Sequence, residues 1–219
     1  MLQAYLNDST KKDFYLNRVR KHREADELIQ GTGWDNGRGC AVGCTLEEYN
    51  HSKYPTLLGV PEELARLQDR IFEALPRADA LAFPESFLGA IPVGADLHLV
   101  WPKIALWVLT DEQHGVSRLV QDEKHKRQRE AIENVAGLYL RWIAGDKPSV
   151  SEWQEARSAA YAAAAYAAYA AYAAAYAAYA AYAAAYAAYA ADARLAFWRA
   201  LRDQLLKELR AAPVAVKAS

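Results

Sequence analysis

The side chains of this chain best suited to chemistry are two thiols four residues apart, Cys40 and Cys44, with His51 close behind them. A thiol becomes a nucleophile when a base or a helix N-terminus lowers its pKa, and His51 needs only spatial proximity to serve as that base. The same three residues are possible zinc ligands, but zinc knuckles use C-x2-C and a fourth ligand is not evident, so no metal is expected. A redox pair is disfavoured because the spacing is not C-x-x-C. The plainer alternative is that both thiols are small buried apolar groups beside a turn. Around them runs Gly37-x-Gly39-x-x-x-Gly43 with Arg38, whose backbone N–H groups and guanidinium could cradle an anionic small ligand. The pattern matches neither the dinucleotide fingerprint nor the P-loop, and no cofactor is expected. Asp35, Glu85 and Asp96 would make an acid cluster only if the fold gathered them, and His22, between Lys21 and Arg23, reads as a solvated surface histidine.

The elements that must position these residues are helical. Five glycines between 31 and 43 mark a loop with tight turns or close backbone approach. Thr45-Leu46-Glu47-Glu48 has the spacing of a capping box, so a helix beginning there would place Cys44 just before its N-terminus. Residues 9–30 read as a first helix. Pro61-Glu62-Glu63 opens another, with Leu64, Leu67, Ile71 and Leu75 on one face and Pro76 as its stop. Pro84 opens a short helix and a buried helix begins near Pro102; 96–101 is the one stretch with some strand character. Asp111–Ala144 is a further helical region, stopped by Gly145-Asp146-Lys147-Pro148.

Ser149-Val150-Ser151-Glu152 is a second capping box, and from it no Gly or Pro interrupts the chain until Pro213. Residues 159–191 are 24 Ala and 9 Tyr. Alanine is the strongest helix former, so about 60 residues here would extend roughly 90 Å, well beyond a domain about 35–40 Å across. Such a helix must protrude, bend or be shared. Tyr166, Tyr169, Tyr172, Tyr176, Tyr179, Tyr182, Tyr186 and Tyr189 are the expected contact residues. From Tyr169 their ten-residue repeat turns about 1000°, so the stripe slips back about 80° per repeat and winds around the helix. Small Ala admits close approach and Tyr adds area and a hydroxyl, which suits self-association or a protein partner. A helix laid across its own domain is the competing reading. A membrane span is disfavoured, since Ala contributes little transfer energy and the tyrosines are not gathered in two belts. Beyond the repeat, Leu195, Trp198, Leu201, Leu205 and Leu209 return to ordinary amphipathic spacing, expected to dock on the globular part or another subunit.

The sequence thus predicts an all-α protein: a helical domain over 1–148 with its Gly/Cys loop at 31–51, a very long Ala/Tyr-rich helix over 149–212, and a frayed tail over 213–219. With 26 Lys+Arg against 27 Asp+Glu the net charge is -1, which argues against nucleic-acid binding. Two cysteines and an N-terminus without a basic, apolar leader pattern suggest a cytoplasmic protein. Gly37-Arg38-Gly39-Cys40-Ala41-Val42-Gly43-Cys44-Thr45-Leu46, with Gly94-Ala95-Asp96-Leu97 and Val100-Trp101-Pro102, resembles a group of uncharacterised bacterial and phage-encoded proteins with Ala-rich C-terminal helices. The resemblance covers most of the chain and implies an accessory gene of a phage or mobile element. It carries over no activity and no site residues. The leading expectation is a non-enzymatic binding or assembly protein. The alternative is a small cysteine-dependent enzyme or an anionic-ligand binder using the loop.

Overall fold

Asp8 begins the first helix by accepting a hydrogen bond from Thr10 N at 2.8 Å, a side-chain cap for one of the free N–H groups at a helix start. The computed structural model describes residues 2–160, 162 and 183–214, with side chains left out over 183–190. Its fold is mainly helical, with one two-stranded ribbon among the described residues. The chain divides into two compact units, one of 1–101 with 198–219 and the other of 102–197. This differs from the expected boundary at 148/149, because residues 198–214 return to the first unit.

In that first unit α1 (Ser9–Glu24) packs on α2 (Ala41–Leu46) and α5 (Arg77–Ala90), and α4 (Glu62–Ala74) packs on the same two helices. Helix α1 stops six residues before the expected 30. Asp26 turns left-handed at φ 56°, and Leu28 then bridges to Gly39 as extended chain. Between them and α2 lies the hairpin of β1 (Trp34–Asp35) and β2 (Arg38–Gly39). Its turn residues Asn36 and Gly37 both have positive φ, 48° and 82°, as a type I′ turn demands.

Helix α2 starts four residues before the Thr45 capping box that the sequence suggested. Cys40 stands at its N-cap, Thr45 Oγ1 donates to Ala41 O inside it, and Glu47 closes it at φ 59°. Close packing selects this frame: a Cβ at Gly43 would lie 1.9 Å from Gly33 O, and one at Gly39 2.3 Å from the same oxygen. Helix α3 (Tyr54–Leu58) leads by way of Gly59 to α4, whose first turn carries Glu62 and Glu63. Pro84 does not begin a helix. It sits buried within α5 and continues it, giving up one rung of the ladder. Arg20 and Arg23 of α1 reach Glu85 of α5 at 2.8 and 2.6 Å.

Residues 96–101 are not a strand; Asp96 makes a single bridge to Gln3 before α6 (Val100–Thr110) begins. Asp111 then turns the chain by accepting from Gln113 N and His114 N, so Asp111–Ala144 is two short 3-10 turns followed by α7 (Lys126–Ile143). Gly145, at φ 96°, ends α7. Ser149 and Glu152 form the expected capping box in full: Ser149 N donates to Glu152 Oε2 at 2.7 Å and Glu152 N to Ser149 Oγ at 3.3 Å. Helix follows over 150–160, with Tyr139, Trp142 and Trp153 clustered and Ala156 buried.

The last helix, α8, runs over Ala183–Arg210. A single very long helix across the repeat, and Tyr166, Tyr169, Tyr172, Tyr176, Tyr179 and Tyr182 with it, lie outside the described residues. So do the side chains of Tyr186 and Tyr189. The end of α8 buries Leu201, Leu205, Leu206 and Leu209, each worth about 1.5–3 kcal/mol of apolar transfer. Arg199 and Arg202 reach Asp79 at 2.8 and 3.7 Å. The expected frayed tail starts pinned: Asp96 N donates to Pro213 O at 2.8 Å and Val214 bridges to Ala95, while 215–219 are outside the description. Among the described residues no helix is long and apolar enough to cross a membrane.

Candidate functional site

Helix α4 turns a buried face toward α2 that carries, beside Leu64, Ala65, Ile71 and Phe72, two polar residues, Gln68 and Asp69. Burial of a carboxylate is costly unless its oxygens find donors. Asp69 Oδ2 finds two: Tyr49 OH at 2.9 Å and His51 Nε2 at 3.0 Å. A carboxylate only accepts, so His51 presents Nε2–H to it. The two donors also hold each other, ring edge to face with centroids 4.9 Å apart. Asp69 Oδ1 is buried without a nitrogen or oxygen donor, and the Cys40 thiol is a further, weaker hydrogen-bond partner of the carboxylate. One turn further on, Glu73 accepts from Gly31 N at 2.7 Å and so pins the start of the glycine loop.

The N-cap position of α2 aims Cys40 at this pair. Cys40 Sγ and one oxygen each from Asp69 and Glu73 lie within 4.8 Å of one another. The thiol pKa is pushed well above its ordinary value, first by burial and then by the neighbouring Asp69 carboxylate. Burial likewise raises the Glu73 carboxyl, and with the Asp69 hydrogen bond pushes the Tyr49 phenol up to about 12. Beneath them Tyr54, fully buried, donates to Gln68 Oε1 at 2.9 Å and leaves Gln68 Nε2 without a partner.

Cys44 stands apart from this cluster. It lies in the last turn of α2, not before a helix, and its thiol donates to Gly39 O at 3.3 Å. Burial pushes its pKa up to about 12, the reverse of the dipole-lowered thiol that a helix start at Thr45 would have made. The Cys40–Cys44–His51 zinc set is therefore not assembled: Cys44 faces backbone and His51 faces Asp69. The anion cradle is not assembled either. Gly37 and Arg38 are at the hairpin turn, Arg38 exposed, whereas Gly39 and Gly43 are spent on close approach to Gly33. The acids do not gather, since Asp35 accepts from its neighbour Asn36, Glu85 is held by α1 and Asp96 pairs with His98 at 2.8 Å. Nor is His22 a solvated surface group; its side chain is 12% exposed, bonded to Glu27 at 2.6 Å and packed edge-on against Trp34.

Sequence reasoning missed Asp69, Glu73 and Tyr49. The signal was present: Asp69 and Glu73 are four residues apart on one helix, so two like charges share a face, an arrangement unfavourable in isolation. The regular leucines of the same helix drew the pattern instead. Compared with protein-family models, curated proteins and solved structures, the chain matches none.

Proposed function

We propose that the protein is a non-enzymatic assembly protein, an accessory of bacterial or phage origin, that self-associates or binds a protein partner through its Tyr-studded repeat. The supporting observation is the framing of that repeat by firm helix on both sides. The Ser149–Glu152 capping box starts the helix that enters it, and α8 leaves it to dock through Leu201, Leu205 and Leu209 on the first unit. Between these ends the composition is nothing but a helix former and an aromatic contact residue, and 24 alanines contribute too little apolar area for a core of their own. The state of the thiols weighs against the cysteine-enzyme reading. Both are buried and both are held above the range in which a thiolate forms near neutral pH.

Sedimentation velocity over a concentration series tests the proposal. The wild-type chain should associate, and the triple substitution Tyr169→Ala, Tyr176→Ala, Tyr182→Ala, which keeps helix propensity, should weaken association at least tenfold. A wild-type chain that stays monomeric and captures no protein partner, or association untouched by the substitution, overturns it.

A further inference from the structure

We propose that Cys40, Asp69 and Glu73 form a binding site for one divalent transition-metal ion of the zinc class. The three ligand atoms converge from two elements that pack directly on each other, the N-cap of α2 and one face of α4. One thiolate with two carboxylates is a donor set that zinc accepts, and three protein ligands leave a fourth position for solvent or a further ligand.

The independent observation is the buried Asp69. Its residue surface is 8% exposed, Tyr49 and His51 fix Oδ2, and Oδ1 is buried without a nitrogen or oxygen donor, the further partner of the carboxylate being the Cys40 thiol, itself a ligand of the site. A thiol is a weak donor, and a buried carboxylate oxygen served so poorly is one that an ion satisfies better. Among the described residues neither Asp69 nor Glu73 pairs with Lys or Arg, and the one basic side chain at the pair, His51, bonds Oδ2 and leaves Oδ1 to the ion. Tyr49 and His51 then act as outer groups that orient a ligating carboxylate, an arrangement usual around protein-bound metals. A tetrahedral zinc shell, with bonds of about 2.3 Å to sulfur and about 2.1 Å to oxygen, sets its ligands roughly 3.5 Å apart, so the cluster must close by about 1 Å. Glu73, which is at the surface, supplies that movement by side-chain rotation. On binding, the Cys40 proton passes to solvent and the thiolate sulfur bonds the ion.

Cobalt(II) reports such a site directly, because a thiolate ligand gives a near-ultraviolet charge-transfer band. The full chain, stripped with chelator and titrated with Co2+, should take up one equivalent with that band, and zinc should displace it. Cys40→Ser should abolish the band while Cys44→Ser leaves it. Glu73→Gln keeps a carbonyl oxygen for Gly31 N, so the fold survives should Cys40→Ser not fold, and it should weaken Co2+ binding at least about tenfold. A folded wild-type chain without the band, or a band that survives both Cys40→Ser and Glu73→Gln, overturns the site.

Discussion

Burial makes the two thiols chemically quiet by different routes. Cys40 is buried against the Asp69 carboxylate, which hydrogen-bonds its thiol and opposes a second negative charge, whereas Cys44 is closed in by the backbone of its own hairpin and held to Gly39 O. Alkylation depends on thiolate fraction and access. In the metal-free native protein both cysteines should therefore react with iodoacetamide at neutral pH at least about a hundredfold more slowly than an exposed cysteine, and both should react fully once guanidinium unfolds the chain. A fast-reacting thiol in the native state, identified by peptide mapping, would contradict the burial. Glycine chemistry works at the same scale. Gly43→Ala puts a Cβ 1.9 Å from the carbonyl oxygen of Gly33, and backbone cannot swing aside as a side-chain end can. The substitution should cost at least about 1–3 kcal/mol of unfolding free energy by denaturant titration.

At the scale of the element, the helices announced themselves where a local device starts or stops them. Ser149–Glu152, Pro61-Glu62-Glu63 and Gly145 act on their own neighbours, and the structure uses each of them near the position the sequence suggested. What stayed hidden depends on a distant partner. Thr45-Leu46-Glu47-Glu48 has capping spacing, yet α2 begins at Ala41 because Gly39 and Gly43 fit against Gly33. Pro84 reads as a start and is instead buried inside α5. The hairpin at Asn36-Gly37 was legible, for Asn-Gly is the strongest two-residue turn signal, but the crowd of glycines around it masked the pair. The Glu152 cap also sets a pH dependence. Arg141 at 2.5 Å and the Ser149 contacts lower its carboxyl pKa to about 2 from the ordinary 4.5. A depressed carboxylate stabilises the fold above its unfolded pKa, and that contribution fades as pH falls from about 4.5 through about 2. A carbon-13 NMR titration should place the Glu152 midpoint near the lower value, and Arg141→Gln should move it upward. A wild-type midpoint near 4.5 would mean that the box is not formed in solution. Gly137 makes the complementary case inside α7, where an added Cβ meets nothing within 4 Å. Gly137→Ala should raise stability by about 0.5–1 kcal/mol, read as an increase in Tm.

At the scale of the whole molecule, chain order misleads. The stop at Gly145–Pro148 and the capping box that follows invite a boundary at 149, and one drawn there assigns everything after it to an appendage. The contacts instead give 198–214 to the first unit, because amphipathic spacing resumes soon after the repeat ends and a leucine stripe must be covered by something. The same blindness hid the Cys40–Asp69–Glu73 cluster: no spacing rule relates the N-cap of one helix to the middle of another across two loops. Sequence therefore reads the kinds of element well and their closure poorly. The closure has a direct test. Leu205 is fully buried at the docked end of α8, and Leu209, one turn on, is equally covered. Leu205→Ala removes apolar transfer and leaves a cavity, so unfolding free energy should fall by about 2–5 kcal/mol. Leu195→Ala, before the docked segment and only partly covered, should cost much less. Equal effects at both positions would show that 198–212 is not part of the first unit's core, and the anchored end on which the assembly reading relies would be lost with it.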